Sequence, residues 1–483
     1  MRKRICALII SAILLLSSAF SVGAVSDTEY DYTVDLSSGK RVAISKCYTV
    51  EEIVSEFDGK AFGTVSDMFT DSDDNIYLLC KGENLIVKLD KNGNFVTSYD
   101  NKNGGGLKSP GGMFVDKDGD IFVADTGNYR IVHLSPNGAF EEEFTTPEGL
   151  ELDDGERFSP SKLAISNSGY IYSMSYQNLM KVDVENTFRG YIGSTKVSLT
   201  FTQIIVNLFA TQAQKKQLQK VEPEPYTNFI MGDDQYIYAV TLDYKNGQIK
   251  KLNAVGSNVF PVQDYGEPYY NKSGSSVQPI FTDISVNKDG VINVIEKNSC
   301  KIYQYDNEGT LLCVYGGYGT ATGMLEVPTC IDELSDGTVL VYDEAKGLVF
   351  YKPTEFITAV HDALGYYKDC YYIEAMEYWQ KALDICESYT LAHQGIGQAY
   401  YKMKEYDKAI EEYELGDLKS NYSQAFDKKR TNWLQDNFGW FFIAVLVFII
   451  AAVYGVRAFK KLSVKCEYAY KGIRTGTQRK NRR

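Results

Sequence analysis

Gly112-Met113-Phe114-Val115, Asp116-Lys117-Asp118-Gly119-Asp120 and Ile121-Phe122-Val123-Ala124-Asp125 are consecutive, and their reading decides the fold. An apolar run, a turn rich in Asp and Gly, and a second apolar run together describe an antiparallel hairpin. A polar loop follows, then Arg130-Ile131-Val132-His133-Leu134, then a second turn at Asn137-Gly138 that leads into a fourth segment. Asp-Gly and Asn-Gly tolerate positive φ, so these turns are expected to close two-residue hairpins whose twist matches the flanking strands. The unit reads as four short antiparallel strands.

Working outward, the first turn recurs along the chain. Asp73-Asp74-Asn75-Ile76-Tyr77 precedes it. Ser168-Gly169-Tyr170-Ile171-Tyr172, Asp233-Asp234-Gln235-Tyr236-Ile237-Tyr238, Asp289-Gly290-Val291-Ile292 and Asp336-Gly337-Thr338-Val339 follow it. Six units result, most of them roughly 45 to 55 residues long, a period that belongs to propeller blades. One four-stranded sheet cannot bury both of its faces, so the blades pack radially around a channel and leave only short edges. The fold expected over residues 25–355 is an all-β six-bladed propeller. The sixth unit ends after Gly347 to Tyr351 without a fourth strand, while Tyr48 to Phe57 has no unit of its own. This segment is expected to close the ring.

The stretch Asp118-Gly119-Asp120-Ile121-Phe122-Val123-Ala124-Asp125-Thr126-Gly127-Asn128-Tyr129-Arg130-Ile131 resembles an NHL repeat. The other five units share its spacing but do not reproduce Asp125, Asn128 and Arg130 as a set. These three are the candidate ligand-binding residues; the alternative is that they bond across the hairpin and between blades. Propellers of this kind include lyases that hold zinc through several histidines, and related ones include lactonases that hold a divalent metal through carboxylates and an Asn. The chain has three histidines, His133, His361 and His393, and the last two lie beyond the propeller. A lone strand histidine does not make a multi-histidine site. Asp116, Asp283 and Asp332 lie in or near the innermost strands and are candidates to face the channel, with turn capping as the alternative. Gly104-Gly105-Gly106 lacks the Lys-Ser/Thr ending of a phosphate loop, and no nucleophile elbow or Cys-His arrangement is found. No catalytic, cofactor-binding or metal-binding residue is assigned, and no cofactor is expected.

Between the third and fourth units, residues 194–222 form an insertion in which Phe201, Ile204, Ile205, Leu208 and Phe209 recur at helical spacing. After the propeller the period becomes 34: Ala363 and Gly397, Tyr366 and Tyr400, Ala375 and Ala409, Trp379 and Tyr413, Ala382 and Gly416. This resembles tetratricopeptide repeats, in which small residues let antiparallel helices approach and aromatics fill the gaps. Residues 356–437 are assigned to such a helical neck, with Ser423 to Asn437 as a capping helix.

Residues 1–24 have a basic start, a short apolar core and a small-residue end at Val22-Gly23-Ala24, the layout of a signal peptide. Residues 438–456 carry no charge and suit one transmembrane helix, with Trp440 and Tyr454 at interfacial depth. From Arg457 to Arg483 there are ten Lys or Arg and one acid, so the positive-inside rule puts this tail in the cytoplasm and residues 25–437 outside. The net charge of −13, with this basic tail set apart, leaves a strongly acidic middle unsuited to nucleic acid. Cys47, Cys80, Cys300, Cys313, Cys330, Cys370 and Cys386 are scattered, odd in number and without a CxxC, and read as buried thiols among which a pair could still link. The chain is expected to be a bacterial, single-pass, membrane-anchored extracytoplasmic binding or scaffold protein. Its propeller and helical repeats would engage protein, peptide or carbohydrate partners. The alternative is an anchored metal-dependent hydrolase or lyase working at the channel.

Overall fold

Six small antiparallel sheets account for most of residues 48–353. The computed structural model describes residues 30–35, 38–152, 155–193, 225–270 and 273–480, so the leader at 1–24 and the insertion at 194–222 lie outside the described residues. Blade 1 comprises Val65–Thr70, Ile76–Cys80, Leu85–Leu89 and Phe95–Tyr99. Blade 2 comprises Gly112–Val115, Ile121–Asp125, Arg130–Leu134 and Phe140–Phe144, and blade 3 Pro160–Ile165, Ile171–Ser175, Asn178–Val182 and Phe188–Tyr191. Blade 4 has Tyr226–Met231, Ile237–Thr241 and Ile249–Leu252. Blade 5 has Phe281–Val286, Ile292–Glu296, Lys301–Tyr305 and Leu311–Gly316, and blade 6 Pro328–Glu333, Val339–Asp343 and Gly347–Pro353. The first strands of successive blades pack side by side in a closed circle, blade 6 returning to blade 1.

The second strand of every blade is buried along its whole length, because it is covered on both faces by neighbouring blades. Its Ile, Val, Leu and Tyr side chains feed the hydrophobic clusters between blades, each fully buried aliphatic contributing about 1.5–3 kcal/mol. The ring closes through Tyr48–Val54, which pairs antiparallel with Gly347–Pro353 from Tyr48 against Pro353 to Val54 against Leu348. The segment supplies the fourth strand that unit six lacks.

Three features depart from the sequence reading. The turns after the first strands are three-residue loops rather than two-residue ones. In blade 2, Asp116 N–H donates to Asp120 O and Gly119 N–H to Asp116 O, with Gly119 at φ 85°. Such a loop places one residue in the left-handed region and leaves a bulge, and Asp74, Gln235 and Gly337 occupy the equivalent site. Blade 4 has three strands, with Asn258 bridging to Leu252 where a fourth would start. Blade 5 is extended outward by Asp31–Val34 and Arg41–Ile44, the first of which bridges through Tyr32 to Val314.

The chain divides into two compact units, Met1–Gly395 and Ile396–Arg483. In the first, helices α1 (Glu355–Lys368) and α2 (Tyr372–Ile385) follow the propeller and fold back on each other, burying Ala363, Ala375, Trp379 and Ala382. Helix α3 (Thr390–Lys402) spans the boundary. In the second unit, α4 (Tyr406–Leu415) packs on α5 (Lys419–Lys480) around Ala409, Tyr413, Leu418 and Ala425. Helix α5 contains a stretch of mean hydropathy 2.5, none of it buried, that is long and apolar enough to cross a membrane.

Gly347 reports on the closure. At φ 100° its added Cβ would press on the Val54 carbonyl and stand 2.7 Å from Ser55 Cα. Gly347→Ala is expected to lower stability by on the order of 3 kcal/mol, combining backbone strain and a clash with a fixed strand. Gly149, at φ 80° but with open space around it, is the control and should lose about 1 kcal/mol. Urea unfolding that gave equal losses would show the closing strand to be loosely held.

Candidate functional site

Five of the six first strands carry a bulge after their opening residue, after Val65, Pro160, Tyr226, Phe281 and Pro328. The bulge places Asp67, Lys162, Asn228, Asp283 and Cys330 at equivalent positions around the channel, and Gly112 takes this place in blade 2. The residue before each is hydroxylic in those five blades. Ser66, Ser161, Thr227 and Thr329 each donate a side-chain hydrogen bond to a carbonyl of the second strand. Gly112 makes room, since a Cβ there would lie 2.8 Å from Lys162 Cα and 3.1 Å from its Cδ.

The ring's charged groups are bonded within the propeller. Lys162 Nζ reaches Asp67 Oδ1 at 2.5 Å across the channel, while Asp67 Oδ2 accepts from Met113 N–H of blade 2 at 2.7 Å. Asp283 accepts from Asn228 Nδ2 at 2.6 Å and from Ile331 N–H of blade 6 at 2.8 Å. One ammonium serves two buried carboxylates. Burial pushes Asp283 up to about 7, with Lys162 pulling it down and Asp67 pushing it further up. Burial also lowers Lys162, but the two carboxylates more than reverse this and its value is raised.

At the turn end of the channel lies a cavity of about 520 Å³ to which all six blades contribute. Phe69 and Phe114, edge to face at 5.3 Å, belong to its apolar floor with Ile165, Ile230 and Val286. Its rim is acidic and one wall comes from α1 through Thr358, His361 and Asp362. Many rim acids are already engaged. Asp116 accepts from Asp118 and Asp120 N–H and so caps its own turn, and Asp71 does the same for Asp73 and Asn75. Asp332 accepts from Thr70 N–H at 2.7 Å and from its hydroxyl at 2.9 Å, tying blade 6 to blade 1. Burial raises it to about 6 against these bonds.

Glu333 starts a chain of polar contacts that leads from the cavity to α1. It accepts from Asn287 Nδ2 at 3.0 Å and Asn293 Nδ2 at 2.8 Å, and burial nevertheless raises it to about 7. Gln304 Nε2 donates to Asn293 Oδ1 and Tyr48 Oη, which leaves Gln304 Oε1 to accept from His361 Nε2 at 2.9 Å. The ring is then a neutral Nε2–H tautomer, and burial lowers its value to about 4. The cross-strand positions of Asn293 and Gln304 hold an aromatic and a base in four other blades: Tyr77 and Lys88, Phe122 and His133, Tyr172 and Lys181, Tyr238 and Lys251. Blade 5 replaces this pair by two amides where α1 rests on it.

The residues singled out in blade 2 come together. Asp125, fully buried, accepts at Oδ2 from Asn128 Nδ2 and Arg130 Nε, both at 2.8 Å, and at Oδ1 from Lys108 N–H at 2.7 Å. Arg130 also reaches Gly106 O at 2.8 Å and Glu143 Oε2 at 2.6 Å. The set pins the linker that enters blade 2. Glu296 and Asp343, at the same place in blades 5 and 6, accept from Ile280 N–H and from Glu326 and Val327 N–H, and in blade 5 Asn298 Nδ2 also donates to Glu296 at 3.1 Å, so the carboxylate recurs where the Arg does not. His133 lies flat on Phe122 at 4.2 Å. Asp283 and Asp332 do face the channel region; Asp116 is in its turn.

A metal centre of the kind that related propellers use needs three or more convergent ligands. Among the described residues no three His, Cys, Asp or Glu side chains are arranged to hold a metal ion, and the channel carboxylates are paired with Lys162, Asn228, Asn287 and Asn293.

The molecule is thus a six-bladed β-propeller with one blade of NHL type: the NHL-repeat family model matches residues 107–134, from the linker into blade 2 to its third strand. Among solved structures the chain is similar to a streptogramin B lyase, at 14% identity and TM-score 0.38 over 64% of this chain and 98% of that one. It is similar also to virginiamycin B lyase from Staphylococcus aureus, as an inactive variant with quinupristin, at 13% identity and TM-score 0.39 over 68% and 98%. The WD40 propeller domain of Doa1 matches at 10% identity and TM-score 0.39 over 63% and 97%. No curated protein matches the chain significantly.

The raised carboxyls make stability depend on pH. An acid raised on folding stabilises below its unfolded value, near 4, and that contribution is lost as pH rises through its folded value, here about 7 for Asp283 and Glu333 and about 6 for Asp332. His361 acts oppositely, its contribution being lost as pH falls from 6.5 toward 4. Between pH 8 and 6 the acids dominate. The urea midpoint should therefore be higher at pH 6 than at pH 8, by the equivalent of roughly 1–2 kcal/mol. A higher midpoint at pH 8 would mean these carboxyls are ionised in the folded protein.

Proposed function

We propose that the chain is a membrane-anchored binding and scaffold protein, with a propeller outside the cell that holds a partner at the channel mouth. The observation that carries this reading is the cavity of about 520 Å³ built jointly by six blades and α1. A site assembled from every blade presents many side chains to a ligand on a frame whose channel carboxylates are already hydrogen-bonded, which suits recognition. The carboxyls with raised values, Asp332 and Glu333, are held by donors in the propeller. The acidic rim favours a polar or cationic protein, peptide or carbohydrate surface.

The helices after the propeller are read as tetratricopeptide-like, on the 34-residue period, and would add a second docking surface. The apolar stretch of α5 is read as a single transmembrane span, with the signal peptide at 1–24, residues 25–437 outside, and residues 457–483 in the cytoplasm of a bacterium. The triplet Asp125, Asn128 and Arg130 is assigned to holding the blade linker.

The test is crosslinking and recovery of partners from native membranes with the full chain and with a Lys117→Trp/Asn167→Trp variant. Both positions line the cavity, are solvent-exposed, and sit in turns. A partner recovered by the natural chain should be lost from the variant while its unfolding midpoint is unchanged. Equal recovery would move the binding surface away from the cavity. A divalent metal retained by the purified chain after dialysis would favour a hydrolase or lyase instead.

A further inference from the structure

We propose that Cys47 and Cys313 are a disulfide-forming pair that fastens the start of the ring-closing segment to the outer strand of blade 5. Both thiols are fully buried; Cys47 Sγ donates to Ser45 O at 3.7 Å and Cys313 Sγ to Gln304 Oε1 at 3.7 Å, and each thiol lies close enough to act on the other's ionisation. The surrounding contacts fix this meeting independently. Tyr48, the next residue, stacks on Tyr315 with ring centroids 4.4 Å apart. Tyr32 bridges to Val314, Thr33 Oγ1 donates to Leu311 O at 3.1 Å, and Asp31 Oδ2 accepts from Cys47 N–H at 2.7 Å. Cys47 is thereby bracketed against the Leu311–Gly316 strand. On its other side Thr354 N–H donates to Cys47 O at 2.9 Å, which ties the same residue to the exit of blade 6.

The chemistry is a thiol–disulfide exchange. The Cys47 and Cys313 S–H bonds are lost, one S–S bond forms between them, and an oxidised disulfide of a small thiol or of a protein oxidant is reduced to two thiols, taking up both electrons and both protons. Burial raises both thiols above the usual range, so neither is a ready nucleophile in the closed ring. Exchange then belongs to the stage at which residues 41–54 dock, and the finished bond is shielded from reductants. Cys386, at the end of α2, lies near Cys47 and is the competing partner. The bond would make covalent what is otherwise a closure held by strand pairing, and oxidising surroundings outside the cytoplasm would supply the disulfide.

The experiment uses the full chain in detergent, equilibrated with reduced and oxidised glutathione in urea near the unfolding midpoint and then returned to native conditions. Free thiols are alkylated after denaturation and the chain is digested without reductant. The expected major product joins Cys47 to Cys313, with Cys80, Cys300 and Cys330 alkylated. The natural chain's urea midpoint should fall on reduction, whereas that of a Cys47→Ser/Cys313→Ser variant should not respond. Recovery of Cys47 and Cys313 as free thiols under oxidised glutathione, or of Cys47 joined to Cys386, would overturn the proposal. Because the oxidant is supplied, this result does not depend on where the protein resides.

Discussion

The pairing of Tyr48–Val54 with Gly347–Pro353 is the interaction on which the rest of the structure depends. A propeller blade buries its second strand only when both neighbours are in place, so an open ring would expose the flanks of blades 1 and 6 together. The cluster there includes Phe57, Phe62, Leu78, Val87, Leu340 and Phe350, all buried. By using a strand from the start of the propeller to complete its last blade, the chain makes the first and last blades one cooperative unit. The channel ring and the mouth cavity exist only if that unit holds, since Asp332 must reach Thr70 and Lys162 must reach Asp67.

Inside the closed ring, electrostatics decides what kind of site is available. Two carboxylates and one ammonium in a buried ring cost several kcal/mol each to desolvate, and they are tolerated because every charge is hydrogen-bonded to a group on another blade. The ring thus resembles a buried network that specifies blade order more than an open set of ligands. The mouth above it is different: it is roomy, acidic at the rim and joined by amides to α1 through Glu333, Asn293, Gln304 and His361. A partner bound there would touch the residues that seat the first helix, which gives the propeller a physical connection to the helical region that follows it.

The sequence announced the architecture through its turns. Six recurrences of an Asp or Ser turn, five of them with Gly or Asn, each before a β-branched or aromatic run, are legible because turn chemistry is local. The missing strand of unit six and the unclaimed Tyr48 segment were legible for the same reason. What was hidden depended on pairs far apart in the chain. Nothing local marks Lys162 as the partner of Asp67, or His361 as the partner of Gln304. The channel ring did leave a signal, a Ser or Thr before each of five ring residues, which becomes visible only when the units are aligned on their first strands. The blade 2 triplet stands out because its Arg is absent elsewhere, while its carboxylate is repeated at Glu296 and Asp343. The loop lengths exceed two because the residue before the Asp-Gly pair belongs to the turn as well, as Lys117 does between Asp116 and Asp120.

Amide hydrogen exchange along residues 48–54 of the full chain tests the closure most directly. If this segment is the fourth strand of blade 6, its paired amides should exchange as slowly as those of Gly347–Pro353, through one shared opening. Exchange of 48–54 well ahead of blade 6 would contradict the account, because the ring would then be closed by the other blades alone.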